Sequence, residues 1–232
     1  MVVKYIKGKV IRKVIMSIKV SLKRRTPKKE NIGTQGQRKV FTEEQVKLIK
    51  TYLYCREDLK SLRDCALFSF ALDTMLRSID LLKLKVSDVV DGDGNLKEII
   101  EVKQQKTGKI TLVEITRTTA KSLAKWIEES EKHLEDFLWT GFTHNKKRNL
   151  SISRMQYGTI IKGWVNDILG IDPSEYNTHS MRRTKAAMIY ERTNNIEVVR
   201  QLLGHSSVAA TSAYLNIGKR DALKVAKEVL AI

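Results

Sequence analysis

Six side chains of this sequence together hold the chemical groups that phosphoryl transfer without a metal requires. Arginine forks can bind the nonbridging oxygens of a phosphodiester, a tyrosine can attack the phosphorus, and histidine and lysine can move the protons. The six are Arg77, Lys106, His179, Arg182, His205 and Tyr214.

The two residues nearest the N-terminus each have a structural alternative when they are considered alone. Arg77 interrupts an apolar stretch, and it could simply pair with Asp73 or Asp80 along a helix. Lys106 lies in a Lys-Thr-Gly-Lys run between two β-type segments, where a solvated hairpin tip is the ordinary explanation. Neither residue indicates catalysis without the others.

The remaining four residues also have ordinary explanations. Thr178 is a suitable N-cap, which puts His179 and Arg182 on one face of a helix at its positive end. Two cations there are unfavourable unless an anion binds, although a surface pair of this kind is usually inert. His205 follows a Leu-Gly pair and could be a turn residue, and Tyr214, nine residues later, could be a half-buried aromatic.

The elements that must position these residues are mainly helical. Apolar spacing and capping signals predict a helix that starts after Thr42, with Gln45 completing a capping box. Two β-type runs joined by "QKTGK" predict one antiparallel hairpin. The fold class is therefore α+β, mainly α. The further predicted helices cover residues 59–76, 118–133, 153–170, 178–193, 196–204, 207–217 and 219–232.

Positive charge is concentrated at the N-terminal end of the 232 residues. Residues 1–40 hold thirteen Lys and Arg against one acid, whereas the whole chain carries a net charge of +17. A polyanion is the partner that such an arm suggests, because neutralised phosphates release counterions. A solvated tail and an anionic membrane surface are the alternatives. The sequence predicts a basic arm or linker over 1–36 and a compact domain over 37–217.

No cofactor, metal site or membrane span is indicated. Cys55 and Cys65 are too few and wrongly spaced for a disulfide framework or a zinc site, so reduced cysteines in a cytoplasmic protein are expected. The N-terminal apolar runs are short and broken by lysines, which argues against a secretory signal or a transmembrane helix.

The order of the six residues resembles the tyrosine recombinase, or phage integrase, family over about residues 37 to 217. "LRSIDLLKLKVSDV" resembles the first arginine box of that family, and "KQQKTGKITLVEI" resembles its lysine hairpin. "HSMRRT" matches the His-x-x-Arg box, and "LLGHSSVAATSAYLNI" matches the histidine-to-tyrosine box. The resemblance implies a helical catalytic domain with one small antiparallel sheet.

The resemblance also implies a reaction. Tyr214 would attack a DNA phosphate and leave a 3′-phosphotyrosyl link and a free 5′-hydroxyl, so religation would need no ATP, metal or other cofactor. Arg77 and Arg182 would hold the phosphate, and His205 would assist them. Double-stranded DNA would be the substrate, bound by a homotetramer on synapsed sites with DNA-bending proteins as further partners.

The two proton transfers are assigned by the same resemblance. His179 would act as base toward Tyr214, and Lys106 would protonate the leaving 5′ oxygen. Arg183 follows Arg182 directly but lies about a hundred degrees round the helix, so it is assigned to the DNA backbone or to the surface.

Three features bear on how this chain departs from its family. Met75 stands where the family often has a glycine, whereas Asp80 stands in the place of the usual acidic residue. Residues 1–36 are too few for the separate DNA-clamping domain of most members, so the basic arm could partly replace it. The amphipathic segment 218–232 could dock on a neighbouring subunit or pack on its own domain.

Two other functions remain open at this level. A DNA-binding regulator could keep the fold with little activity, although it would not need all six catalytic-type residues. A type IB topoisomerase would share similar chemistry and relax supercoils instead of exchanging strands. The boxes favour a site-specific recombinase.

Overall fold

The computed structural model describes residues 39–142 and 149–217, which form nine α-helices and one two-stranded antiparallel sheet. The predicted basic arm over 1–36 and the predicted helix in 218–232 lie outside these ranges. In chain order the elements are α1 (Glu43–Tyr54), α2 (Leu59–Thr74), α3 (Ser78–Leu81), α4 (Val86–Val89), β1 (Ile99–Lys103), β2 (Ile110–Glu114), α5 (Arg117–Glu129), α6 (Arg154–Gly163), α7 (Thr178–Thr193), α8 (Ile196–Leu203) and α9 (Val208–Leu215).

Helix α2 is the centre of the fold. Asp58 caps its first turn by accepting the Ser61 amide, and every residue from 61 to 72 is buried. A helix that is buried on all sides must be covered by other elements. Helices α1, α5 and α7 pack around it.

Aromatic side chains fill the main core. Phe68 meets Trp164 edge-to-face at 5.2 Å between ring centroids, and Phe70 meets Trp139 at 5.6 Å. Rings at these angles attract each other beyond the area that they bury. These contacts tie α2 to the segments before and after the gap at 143–148.

The sheet is the predicted hairpin. Strand β1 runs antiparallel to β2, with Ile100 opposite Val113. Ile100, Val102 and Val113 are buried, whereas Ile110 and Leu112 are exposed on the other face. The sheet therefore has one face on the core, and the residues of the connecting turn extend beyond it.

Most predicted helices are confirmed, but several end elsewhere. The capping box of Thr42 and Gln45 starts α1 as predicted. Helix α5 stops at Glu129 instead of residue 133, because the chain turns through a positive φ at Glu131. Helix α6 continues as a π-helix, Trp164–Leu169, and ends at Gly170.

None of the helices in the two described ranges is both long enough and apolar enough to span a bilayer.

Candidate active site

Arg77 lies between α2 and α3, where the chain leaves the core. It occupies the N-cap position of α3 and is half-buried. Its Nη1 donates to Oε1 of Gln104 at 2.5 Å, which is a contact across to the hairpin. The alternative pairing with Asp73 is not what the structure has, because that carboxylate accepts from Thr116 and Lys185 instead. Arg77 is therefore aimed at the hairpin and away from its own helix.

Met75 makes the turn that brings Arg77 into place. It adopts left-handed backbone geometry with φ 49° at the end of α2, which is why the predicted continuation to residue 76 is wrong. This conformation costs a non-glycine residue about 1–2 kcal/mol. The Met75 side chain offsets that cost by packing in a small apolar cluster with Ala186, Val199 and Leu203. A glycine would adopt the same backbone geometry without that cost.

Arg182 is the most deeply buried charge of the site, with only 4% of its surface exposed. Its Nη2 donates to the carbonyl oxygen of Leu203 at 2.7 Å, which joins α7 to the end of α8. Burial lowers the pKa of Arg182 to about 10, and the nearby charge of Arg77 acts in the same direction. The guanidinium still carries its charge at neutral pH.

The cap of α7 differs from the prediction. Asn177 is the N-cap residue, its side chain accepting from the His179 amide at 2.9 Å, and Thr178 is the first helical residue. Asparagine forms such caps more readily than threonine, and Ser180 completes the box by accepting from the Asn177 amide. The shift leaves His179 and Arg182 three residues apart in the first turns.

His179 keeps much of its surface exposed, although its ring is partly covered, and it lies among positive charges. Partial burial of its ring lowers the pKa of His179, and three arginine charges lower it further. These are Arg182, Arg183 and Arg77. The imidazole is therefore neutral at neutral pH, the form that can accept a proton.

His205 lies in the turn between α8 and α9. Gly204 ends α8 as a left-handed C-cap with φ 64°. Nδ1 of His205 is 3.1 Å from Oγ1 of Thr211, which is buried. Burial lowers the pKa of His205 to about 4, and the charges of Arg182 and Arg77 add to this effect. The contact with Thr211 thus holds the His205 ring in place, and the lowered pKa keeps that ring neutral.

Tyr214 lies in the last turn of α9, half-buried against the Met75 cluster. Its ring meets His205 edge-to-face, with centroids 5.2 Å apart and planes at 85°. The phenol oxygen is buried and makes no hydrogen bond of normal geometry within the described residues. Burial raises the pKa of Tyr214, and the charge of Arg182 beside it opposes that rise most strongly.

Arg183, which is expected at the DNA backbone or the surface, lies beside Tyr214. It is half-buried, and its guanidinium carbon lies 5.7 Å from the centre of the Tyr214 ring. Its charge also opposes the rise in the pKa of Tyr214. Helix α9 packs against α7, which brings Tyr214 to this part of α7.

Lys106 stands apart from the other five predicted residues. It is exposed in the turn of the hairpin, and among the described residues no hydrogen bond or ion pair holds it. The other five form one cluster, linked by their contacts and mutual charge effects. The cluster contains Arg77, His179, Arg182, His205 and Tyr214.

Gln104 is a site residue that the sequence analysis missed. It is buried, and it joins Arg77 to the hairpin. A signal for it was present, because Gln104 continues the alternation of Ile100 and Val102 on the inner face of β1. A polar side chain at such a position requires partners.

Within the described residues, no group of three or more His, Cys, Asp or Glu side chains is arranged to hold a metal ion. Cys55 is exposed and Cys65 is buried, and both are free thiols.

Comparison with known proteins identifies the family. The model of the phage integrase family matches residues 39–220. A probable integrase/recombinase of Bacillus subtilis, YoeC, is 30% identical over 186 residues, which are 80% of this chain and 92% of that protein. A tyrosine recombinase of Pseudothermotoga lettingae is 25% identical over 74% of this chain, but the match spans 56% of its own length.

The solved structures agree on the fold. The crystal structure of XerH recombinase bound to a palindromic difH substrate, a post-cleavage complex, superposes with a TM-score of 0.65 at 18% identity. The match covers 87% of this chain and 55% of that one. The predicted recombinase catalytic-domain fold is confirmed, and the chain belongs to the phage integrase family of tyrosine recombinases.

Proposed function

We propose that this chain is a site-specific DNA recombinase that cuts and rejoins strands through Tyr214. The observation that carries the proposal is the surroundings of the Tyr214 hydroxyl. It is buried without a hydrogen bond of normal geometry in the described residues, next to the guanidinium of Arg182 and against the ring of His205. A buried phenol oxygen among cations is suited to receive a phosphate.

In the proposed step, the Tyr214 oxygen attacks the phosphorus of a DNA phosphodiester and the 5′ oxygen leaves. One phosphorus–oxygen bond forms as another breaks, so the link stores the energy for religation. Arg77 and Arg182 bind the nonbridging oxygens, and His205 assists them. These donors are charge-assisted, and they stabilise the negative charge that the transition state spreads over those oxygens.

The protons need separate carriers. Burial keeps the pKa of Tyr214 above its usual value, so its proton must be taken by a base. His179 fits this role because its own lowered pKa keeps it neutral. Lys106 supplies the proton for the leaving 5′ oxygen. Its exposed position in the hairpin turn requires the DNA to approach that turn.

Double-stranded DNA is the proposed partner. Five cationic or titratable side chains crowd one site, and the chain carries a net charge of +17. XerH, whose fold is similar, was crystallised with its difH substrate.

We further propose a homotetramer on synapsed DNA with DNA-bending accessory proteins. Residues 1–36 would wrap the DNA, and residues 218–232 would dock on a neighbouring subunit. The free cysteines fit the reducing cytoplasm.

The experiment is trapping of the covalent intermediate. The full chain is incubated with nicked duplexes from its own genomic neighbourhood, and protein–DNA adducts are separated under denaturing conditions. We expect an adduct in the native chain, with EDTA present, and none in Tyr214→Phe. Tyr190 packs on the same small cluster, so Tyr190→Phe is the matched control and keeps the adduct.

Other outcomes distinguish the alternatives. Tight DNA binding without an adduct at any tested site would favour a regulator. An adduct that forms equally on unrelated sequences, together with relaxation of supercoiled plasmid, would favour a topoisomerase.

A further inference from the structure

Gln104 is a buried amide in the middle of the candidate site. Only 2% of its surface is exposed, and it directly follows the last residue of β1. A buried amide must find partners for its oxygen and for both of its N–H groups, or each missing bond costs free energy. The hydrogen-bond partners of Gln104 therefore show which neighbouring groups it holds in place.

Its bonds run to three parts of the site. Oε1 accepts from Nη1 of Arg77 at 2.5 Å and from Oγ1 of Thr107, in the hairpin turn, at 3.0 Å. Nε2 donates to Oγ1 of Thr111 on β2 at 2.5 Å. Arginine can only donate, so the amide oxygen must face Arg77 and the nitrogen must face Thr111.

The same side chain also lies against the turn that carries His205. A Cβ atom added to Gly204 would stand 2.8 Å from Nε2 of Gln104. Real Cβ contacts are longer, so the close packing of the amide on this turn depends on glycine. Gln104 thus touches the backbone next to one proposed phosphate ligand and the guanidinium of another.

We propose that Gln104 is a positioning residue that orients Arg77 toward the phosphate and holds the Lys106 hairpin and the His205 turn at fixed places around it. This inference rests on the proposed function. Gln104 acts through its neighbours: its oxygen accepts from Arg77 and Thr107, and one N–H of Nε2 donates to Thr111.

The chemistry of the amide explains why glutamine suits this position. A neutral oxygen accepts from Arg77 and leaves the full positive charge available to a phosphate. A glutamate would form a buried ion pair that neutralises Arg77 and competes with the phosphate. It would also lose the N–H that binds Thr111.

Gln105, the next residue, attaches the end of β1 to a second buried group and offers a control variant. The backbone amide of Gln105 donates to Oδ1 of the fully buried Asp80 at 2.7 Å. The Gln105 side chain is exposed, so Gln105→Ala keeps this bond. It is a matched variant of the same residue type, one position away.

The first test uses single-turnover cleavage of a nicked duplex by the full chain. Gln104→Met keeps the side-chain size, and we expect it to form adduct about 10- to 100-fold more slowly because Arg77 is misplaced. DNA affinity should change less, and Gln105→Ala should match the native chain. Arg77→Ala combined with Gln104→Met should be no slower than Arg77→Ala alone.

The second test does not depend on catalysis. Sulfate, compared with chloride at equal ionic strength, should raise the Tm of the native chain and of Gln105→Ala by roughly 2–4 °C. Gln104→Glu and Arg77→Ala should lose most of that shift. The Tm of Gln104→Met in chloride shows whether that variant folds. If it folds poorly, Gln104→Glu replaces it as the test variant.

Equal rates and equal sulfate shifts in the Gln104 variants and Gln105→Ala would overturn the inference, as would additive defects in the double variant. Failure of the proposed function appears differently, as the absence of an adduct in the native chain. The sulfate measurement then still decides the role of Gln104.

Discussion

The main core and the small cluster under Tyr214 are built in opposite ways. Around α2, apolar and aromatic side chains pack on every side. The cluster under Tyr214 has four buried members, and the charges of three arginines act on the Tyr214 that packs against it. The first region fixes the fold by burial, whereas the second depends on polar bonds between elements. Stability and chemistry therefore reside in different parts of the molecule.

The two regions also differ in electrostatics, because positive charges crowd the site around Tyr214. Arg182 is buried near Arg77 and two histidines. Burial lowers the pKa of each histidine, and repulsion from Arg182 and Arg77 lowers it further. Such an arrangement is unfavourable in the free protein and becomes favourable when an anion binds. The charges of the site therefore favour binding of an anion more than the stability of the free chain.

The largest expected effect separates the two regions by stability. Phe68→Ala removes a fully buried ring that contacts Phe41 and Trp164, and it should lower the free energy of unfolding by about 3–5 kcal/mol. Tyr214→Phe removes a buried hydroxyl without a normal hydrogen bond, and it should change that free energy by less than about 0.5 kcal/mol. Urea unfolding measures both, and equal losses would contradict the division.

A smaller effect is expected where the two regions meet. Gly204→Ala forces a side chain into left-handed geometry and against Gln104, so it should lower the free energy of unfolding by about 1–2 kcal/mol and slow cleavage. Gly158 lies in α6 with open space at its Cβ position, and Gly158→Ala should instead stabilise by about 0.5–1 kcal/mol. Equal changes in the free energy of unfolding for the two substitutions would contradict the close packing at Gly204.

The last effect concerns pH. The pKa of His205 falls from its usual 6.5 to about 4 in the folded chain, so the unfolded chain binds its proton first as the pH drops. The stability that this group contributes is present above pH 6.5 and is lost between pH 6.5 and 4. The slope of unfolding free energy against pH in that interval should be shallower in His205→Gln. An unchanged slope would show that the ring is not held neutral.

The sequence predicted much of this structure because the relevant signals are local. Capping boxes, apolar spacing and the hairpin turn depend on neighbours along the chain, and so do the four boxes that place Arg77, His179, Arg182, His205 and Tyr214. What was missed depends on packing between elements. Helix spacing alone predicts the DNA backbone or the surface for Arg183, because it gives a direction without saying which helix lies there.

Two further differences between the sequence-based prediction and the structure also come from packing between elements. The left-handed turn at Met75 is stabilised by residues from α7 and α8, which local propensity does not contain. The role of Gln104 could be seen in part, since a polar residue on an apolar strand face signals a partner. The identity of that partner, Arg77, needed the fold.

The most direct measurement of the central claim is the identity of the residue that becomes linked to DNA. The trapped adduct is digested with protease and nuclease, and the nucleotide-bearing peptide is sequenced by mass spectrometry. We expect the nucleotide to be attached to Tyr214 through its 3′ phosphate, and the released strand to carry a free 5′-hydroxyl. Attachment to any other residue, or through a 5′ phosphate, would contradict this expectation.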